Sequence, residues 1–174
     1  NNKKEYLKLL SELISDDNDI VSLLNKVRTE IEADENNLFN QIESTFWTKF
    51  ETDLKNNNND YLLKILEEIK NIFASFTPNR KDLLERLEVG LNIQYIKQLI
   101  DNNCLKPIDI HNIFYFLIDT MKMYHEPSQD EKLDNFMKVI EQSLQTNLPL
   151  YEIMPEFFKE YYNLLLILKK RINE

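Results

Sequence analysis

Residues 62–131 read LLKILEEIKNIFASFTPNRKDLLERLEVGLNIQYIKQLIDNNCLKPIDIHNIFYFLIDTMKMYHEPSQDE. Four apolar-periodic segments run through this stretch, parted at Thr77-Pro78, at Gly90-Leu91-Asn92, from Asn102-Asn103 to Pro107, and at Pro127-Ser128. Apolar residues recurring three and four positions apart lay one stripe along a helix, and Pro, Gly and Asn are the residues that start or stop it. The stretch therefore reads as a helical array with its boundaries written in. Over 60–75 the inward stripe is Leu62, Leu63, Leu66, Ile69, Ile72 and Phe73, with Glu67, Glu68 and Lys70 outward. Thr77-Pro78 reads as an N-cap followed by proline at the first position of a helix over 78–89. Gly90 reads as the left-handed C-cap of that helix. Asn92 is placed to cap 93–101, and Asn102-Asn103 to close it in a residue type that tolerates left-handed backbone. Pro107 opens 107–125, which is apolar on more than one face through Ile110, Ile113, Phe114, Phe116, Leu117, Ile118 and Met121, and so reads as the central helix. Ser128 to Glu131 has capping-box spacing and starts 128–146.

Working outward, residues 3–14, 18–33 and 35–55 also carry helical stripes, the last through Leu38, Phe39, Ile42, Phe46, Phe50 and Leu54 with Trp47 beside them. Downstream, Pro149 and Pro155 bracket a short turn before a last helix over 155–172. That helix ends in Lys169-Lys170-Arg171, where positive charge complements the helix dipole. The expectation is an all-α protein of about nine helices in a single bundle or irregular array. Residues 1–55 form an amino-terminal arm packed on a main bundle over 60–174, with the Asn56 to Asn59 run as a solvated loop between them. The asparagine clusters themselves read as compositional bias.

Composition narrows the function classes. One glycine in 174 residues, where average usage supplies about a dozen, argues against a phosphate-cradling loop, a dinucleotide fingerprint or a turn-rich β-fold. A net charge of −9 implies no general attraction for nucleic acid or an anionic bilayer. The single cysteine, Cys104, permits no internal disulfide and fits a reducing, cytoplasmic setting. The most apolar run, Leu164 to Leu168, is far short of the roughly 20 residues of a membrane span.

No catalytic, metal or cofactor constellation emerges. His111 and His125 stand 14 residues apart on one helix, about 21 Å, and cannot share a metal. Cys104 has no activating neighbour in sequence. The acidic pairs Glu67-Glu68, Glu85-Glu88 and Asp130-Glu131 fall on outer helix faces or caps, the ordinary place for solvated charge. Two surfaces suggest partner binding. One is the Phe76 to Arg80 joint with Lys81 and Lys97-Gln98, where Arg80 can take a carboxylate or phosphate through its fork, unless an internal salt bridge uses it. The other is the last helix, whose Phe157, Phe158, Tyr161, Tyr162, Leu164, Leu165, Leu166 and Leu168 exceed what one wet helix needs and either fill the core or meet a partner. A rival reading places a ligand or enzymatic pocket between helices, lined by Tyr95, Tyr115, Tyr124 and His125.

The order of these segments resembles the T-complex protein 11 family. Members carry a Leu-Glu-Glu-Ile-(Lys/Arg) helix, matched by Leu66-Glu67-Glu68-Ile69-Lys70, and a Leu-x-Pro-x-Arg joint, matched by Phe76-Thr77-Pro78-Asn79-Arg80. Leu91 to Gln98 resembles the family's Leu-Ile-Lys-Gln helix. Asn102 to Lys106 resembles its His-Gly-Ala-Leu-Asp loop, with Asn103 at the glycine position, and Pro127 to Glu131 its Pro-x-Arg-Asp-Glu turn, with Gln129 at the arginine position. Phe46-Trp47 resembles the Phe-Trp start ahead of the block. The resemblance covers about half the chain, which ends roughly one helix after the block where members continue, and so suggests a reduced version. It implies a non-enzymatic helical adaptor with a protein partner, linked to cyclic-AMP and protein kinase A signalling and to sperm function, and it carries over no catalytic residue.

Overall fold

The computed structural model describes residues 36–125, 127, 130–146 and 149–172. Among them lie seven helices and no strand: α1 Asn36–Lys55, α2 Asp60–Phe76, α3 Lys81–Gly90, α4 Ile93–Asp101, α5 Pro107–Tyr124, α6 Asp130–Gln145 and α7 Leu150–Ile172. The all-α expectation holds. The count of about nine does not match: the helices read over 3–14 and 18–33 lie outside the described residues. So does Ser128, read as a cap.

Each helix is set by its apolar stripe and its ends. On α2 the stripe Leu62, Ile65, Leu66, Ile69, Ile72 and Phe73 is buried, while Lys70 reaches across to Glu88 of α3 at 2.9 Å. The asparagine run after α1 has a structural job that composition did not suggest. Asn57 is left-handed (φ 60°), with Asn58 N–H donating to Asp53 O at 2.8 Å and Asn57 N–H to Leu54 O at 3.1 Å. This is a Schellman stop that satisfies carbonyls the helix end would orphan. Asn58 Oδ1 then accepts the Asp60 N–H at 3.1 Å and opens α2. The same motif ends α4: Asn103 has φ 54°, Cys104 N–H donates to Leu99 O at 2.7 Å and Asn103 N–H to Ile100 O at 3.0 Å. Asn92 caps α4 through Oδ1, which accepts the Tyr95 N–H at 3.1 Å. Pro107 occupies the first position of α5, and Asp109 Oδ2 accepts the Lys106 N–H at 2.9 Å.

Three expectations are corrected. Pro78 does not start a helix; residues 77–80 form a turn closed by Arg80 N–H to Thr77 O at 3.2 Å, and α3 begins at Lys81. Gly90 is not left-handed, since no glycine has positive φ; a Cβ there would fall 1.9 Å from Phe116 Cε2, so glycine is needed for the approach of α3 to α5. Pro155 lies inside α7, not at its start. Its missing N–H leaves the Tyr151 carbonyl without its helical donor, a defect confined to the second turn of a helix of 23 residues held by burial elsewhere.

The core is an aromatic chain. Phe50 meets Phe158 (6.1 Å between ring centroids), Phe158 meets Phe114 (5.8 Å), Phe114 meets Phe157 (4.3 Å) and Phe157 meets Tyr161 (5.6 Å). Tyr161 meets Phe73 (6.5 Å), and Phe73 meets Tyr124 (5.1 Å). The rings link α1, α7, α5 and α2 in edge-on or tilted contacts, the arrangements aromatic quadrupoles favour. Two buried polar bonds lock α7 in register: Tyr161 OH donates to Leu117 O at 2.6 Å, and His125 Nε2 lies 3.2 Å from Leu164 O.

Candidate interaction surface

The joint between α2 and α3 brings Arg80 to the surface, where its fork is already used. Nε donates to Asp82 Oδ1 at 3.0 Å and Nη2 to Asp82 Oδ2 at 2.8 Å. These hydrogen bonds hold the Arg80 pKa above its ordinary value and that of Asp82 below its own. Lys81 is exposed. Lys97, on α4, pairs with Asp101 at 2.7 Å, and that hydrogen bond raises its pKa. Of the cations of the first surface, Arg80 and Lys97 are thus each engaged by a local carboxylate, while Lys81 forms no ion pair with a described residue. Thr77, read as a cap for α3, instead meets the Tyr124 hydroxyl at 3.3 Å.

The second surface is spent inside the molecule. Phe158, Tyr162, Leu165 and Leu168 are each exposed by no more than 1%, because α7 is covered by α1, α5 and α6. Of that helix, Glu152, Glu156, Ile167 and the end Lys170-Arg171-Ile172 are exposed, with Arg171 Nη2 donating to Tyr124 O at 3.2 Å.

The residues of the rival pocket do not converge. Tyr95 is exposed on α4. Tyr115 donates its hydroxyl to Glu141 of α6, which raises its pKa. Tyr124 stacks in the Phe73–Phe76 cluster, and His125 is buried against Leu164. His111 lies edge-on to Tyr115, 4.2 Å between centroids. Cys104 is exposed, with Sγ 3.3 Å from Asn102 O. Among the described residues no group of His, Cys, Asp or Glu is arranged to hold a metal ion, and no helix is long and apolar enough to cross a membrane.

What the structure does build is an open cleft of about 180 Å³ between the α3–α4 corner and the first turns of α5. Gly90, Ile96, Leu99 and Ile113 give it an apolar floor, and Val89, Asn92, Tyr95, Asp109 and Asn112 complete its lining. Val89 and Tyr95 are 77% and 55% exposed, large apolar side chains that the fold leaves unused. Tyr95 is one of the four residues the rival reading assigns to a pocket between helices, and it does line a cleft, though without Tyr115, Tyr124 or His125; Val89 carries no such expectation. A signal was available: Val89 falls off the Leu83–Leu84–Leu87 stripe of its helix, and Tyr95 off the Ile93–Ile96–Ile100 stripe.

Behind the cleft, Arg86 of α3 reaches into α5. Its Nη1 donates to the buried Thr120 Oγ1 at 2.6 Å, and its guanidinium lies 4.4 Å from the centroid of Phe116. The ring that occupies the Gly90 notch thus also takes a cation–π contact from Arg86, one turn earlier on the same helix. These contacts fix α3 on α5 and so set the shape of the cleft mouth.

A family model described as T-complex protein 11 matches residues 15–154. The chain belongs to the T-complex protein 11 family. No curated protein and no solved structure matches it. The matched span takes in α1 as well as the block over 62–131, and ends within α7. Within this T-complex protein 11 chain, the positions that resemble the family's motifs fall both inside helices, at Phe46-Trp47 of α1, Leu66 to Lys70 of α2 and Ile93 to Gln98 of α4, and at element ends, in the 77–80 turn, the Asn92 cap and the Asn103 stop. The position of the family's turn arginine, Gln129, lies outside the described residues.

Proposed function

We propose that this T-complex protein 11 family chain is a non-enzymatic, cytoplasmic protein-interaction module that serves as an adaptor. The observation that carries the reading is the contrast between a core filled by aromatic rings and large apolar side chains left exposed, Val89 and Tyr95 beside one cleft and Ile108, Met123, Val139 and Ile167 on other elements. The cleft of about 180 Å³ is below the roughly 300–1,000 Å³ of small-molecule pockets, and a second hollow, about 430 Å³, is lined by Ser44, Thr45, Thr48, Lys49 and Thr52 of α1 alone, so it is a helix face and not a pocket between helices. The titratable side chains that a helical enzyme would need are paired locally or spread over separate faces. The family resemblance adds the expectation that the module acts in cyclic-AMP and protein kinase A linked regulation.

Isolation of the tagged full chain from cells by proximity labelling, followed by reconstitution with each purified hit, tests this reading. The expected result is a direct, saturable complex with a protein, and among the hits a component of cyclic-AMP signalling. A direct complex without such a component removes the signalling role and leaves the module. A chain that forms no direct complex and carries a stoichiometric small molecule, detected by native mass spectrometry, overturns the module in favour of a ligand-binding domain.

A further inference from the structure

We propose that Thr77 is a phosphorylation site for a proline-directed protein kinase, and that Arg80 receives the phosphate across the turn between α2 and α3. The inference goes beyond the interaction-module reading and does not depend on it. Sequence is the first argument. Thr77-Pro78 is the one Ser/Thr-Pro step in the chain, and Arg80-Lys81 follow it. A hydroxyl followed by proline, with a cation three residues after the acceptor, is the pattern that such kinases read, whereas basophilic kinases read cations ahead of the acceptor. Residues 74–76 are Ala-Ser-Phe, so a basophilic kinase finds no charge to hold. The resemblance to the family's Leu-x-Pro-x-Arg joint covers Pro78 and Arg80; the acceptor Thr77 stands at a position that motif leaves open.

Structure supplies the second argument. Thr77 follows α2 with non-helical backbone, φ −136° and ψ 60°, and Pro78, Asn79, Arg80 and Lys81 are all exposed. One backbone hydrogen bond closes the turn, Arg80 N–H to Thr77 O at 3.2 Å. Among the described residues Thr77 Oγ1 has one hydrogen-bond contact, the Tyr124 hydroxyl at 3.3 Å. A surface segment held this lightly opens locally at small cost. In the transfer, Thr77 Oγ1 bonds to the γ-phosphorus of ATP, the bond from that phosphorus to the ADP oxygen breaks, and the hydroxyl proton passes to a carboxylate of the kinase. The product carries a charge near −2 at neutral pH. Arg80 is placed to take it. Its fork is held by Asp82 in a pair whose side chains are 61% and 64% exposed, and exposed pairs of this kind contribute little. Asp82 is the main cause of the raised Arg80 pKa and Tyr124 a smaller one, so the guanidinium lies within electrostatic reach of the hydroxyl that Thr77 touches. A phosphate offers three acceptor oxygens and more charge than a carboxylate, and so draws the fork from Asp82. Lys81, exposed and in no ion pair with a described residue, adds a second cation beside the turn.

The folded full chain, incubated with MgATP and either an active cyclin-dependent kinase or the catalytic subunit of protein kinase A, tests the site, with phosphate mapped by mass spectrometry. The first kinase is expected to place one phosphate on Thr77, and the second to leave Thr77 unmodified. Pro78→Ala and Arg80→Ala, both at exposed positions, are each expected to slow phosphorylation of Thr77 about tenfold or more while leaving the helical circular dichroism unchanged. Ser75→Ala is expected to leave the rate as it was. Phosphorus NMR of the modified chain reads the receiver: the phosphothreonine should titrate below its ordinary second pKa of about 6. Arg80→Lys, which keeps the charge that the kinase reads but loses the fork, should return that value toward about 6. Absence of phosphate at Thr77, its appearance there only after urea unfolding, or a rate indifferent to Pro78→Ala overturns the site. A wild-type phosphothreonine that titrates at about 6 or above overturns the role of Arg80. None of these readouts uses a binding partner, so their failure leaves the module reading standing.

Discussion

Gly90 owes its place to a neighbouring ring. It ends α3 with an ordinary backbone, and the Phe116 ring occupies the space a Cβ would take. Alanine is the better helix former by about 1 kcal/mol, yet Gly90→Ala is expected to destabilise by about 1–3 kcal/mol through overpacking. Urea unfolding of Gly90→Ala, of Phe116→Ala and of the double variant checks this: Phe116→Ala should cost less when Gly90→Ala is already present than in wild type. Tyr161 is the other residue whose chemistry is decided by its surroundings. Burial pushes its phenol well above the ordinary value of about 10, so the folded state retains a proton that the unfolded chain releases. Its contribution to stability is full below about pH 10 and declines as pH rises from there toward the raised folded value. Tyr161→Phe is expected to cost about 1 kcal/mol at neutral pH for the lost bond to the Leu117 carbonyl. It should also remove this group's share of the decline in urea midpoint between about pH 9 and 11.

At the scale of elements, the stops written in asparagine are backbone devices. Asn103 holds φ 54° inside a Schellman motif. Asn103→Ala is expected to cost about 1–2 kcal/mol, whereas Asn103→Gly, which has no Cβ to strain, should leave the thermal midpoint within a few degrees of wild type. Placement of α4, its asparagine cap and its stop were all legible in sequence, because side-chain oxygens and left-handed backbone act within a few residues. Helix α7 was legible in its stripe but not in its use or its start. Its apolar excess is consumed by α1, α5 and α6, and burial carries the helix through Pro155. Leu165→Asp and Leu168→Asp are accordingly expected to unfold the protein by leaving a carboxylate unpaired in the core, a loss of roughly 3 kcal/mol or more. The readout is loss of the cooperative thermal transition; a folded variant with intact melting would contradict the packing described here.

For the whole molecule, the aromatic chain makes α1 part of the same core as α2, α5 and α7. Trp47 is the chain's only tryptophan, lies buried on α1, and meets Tyr162 of α7 at 5.9 Å between centroids. Denaturant unfolding followed by Trp47 fluorescence and by helical circular dichroism is expected to give coincident transitions. An earlier fluorescence transition would mark α1 as a separately melting arm. From the residues alone came the all-helical class, the main helices between 35 and 146 and the resemblance to the family, since stripes, caps and turn residues are local signals. Tertiary structure alone decided why the single glycine is kept, which apolar residues of α7 are core, which arginine enters the interior, and where unused apolar surface gathers. Those outcomes depend on how elements far apart in the chain pack against one another, and a helical stripe specifies that a face must be covered without specifying what covers it.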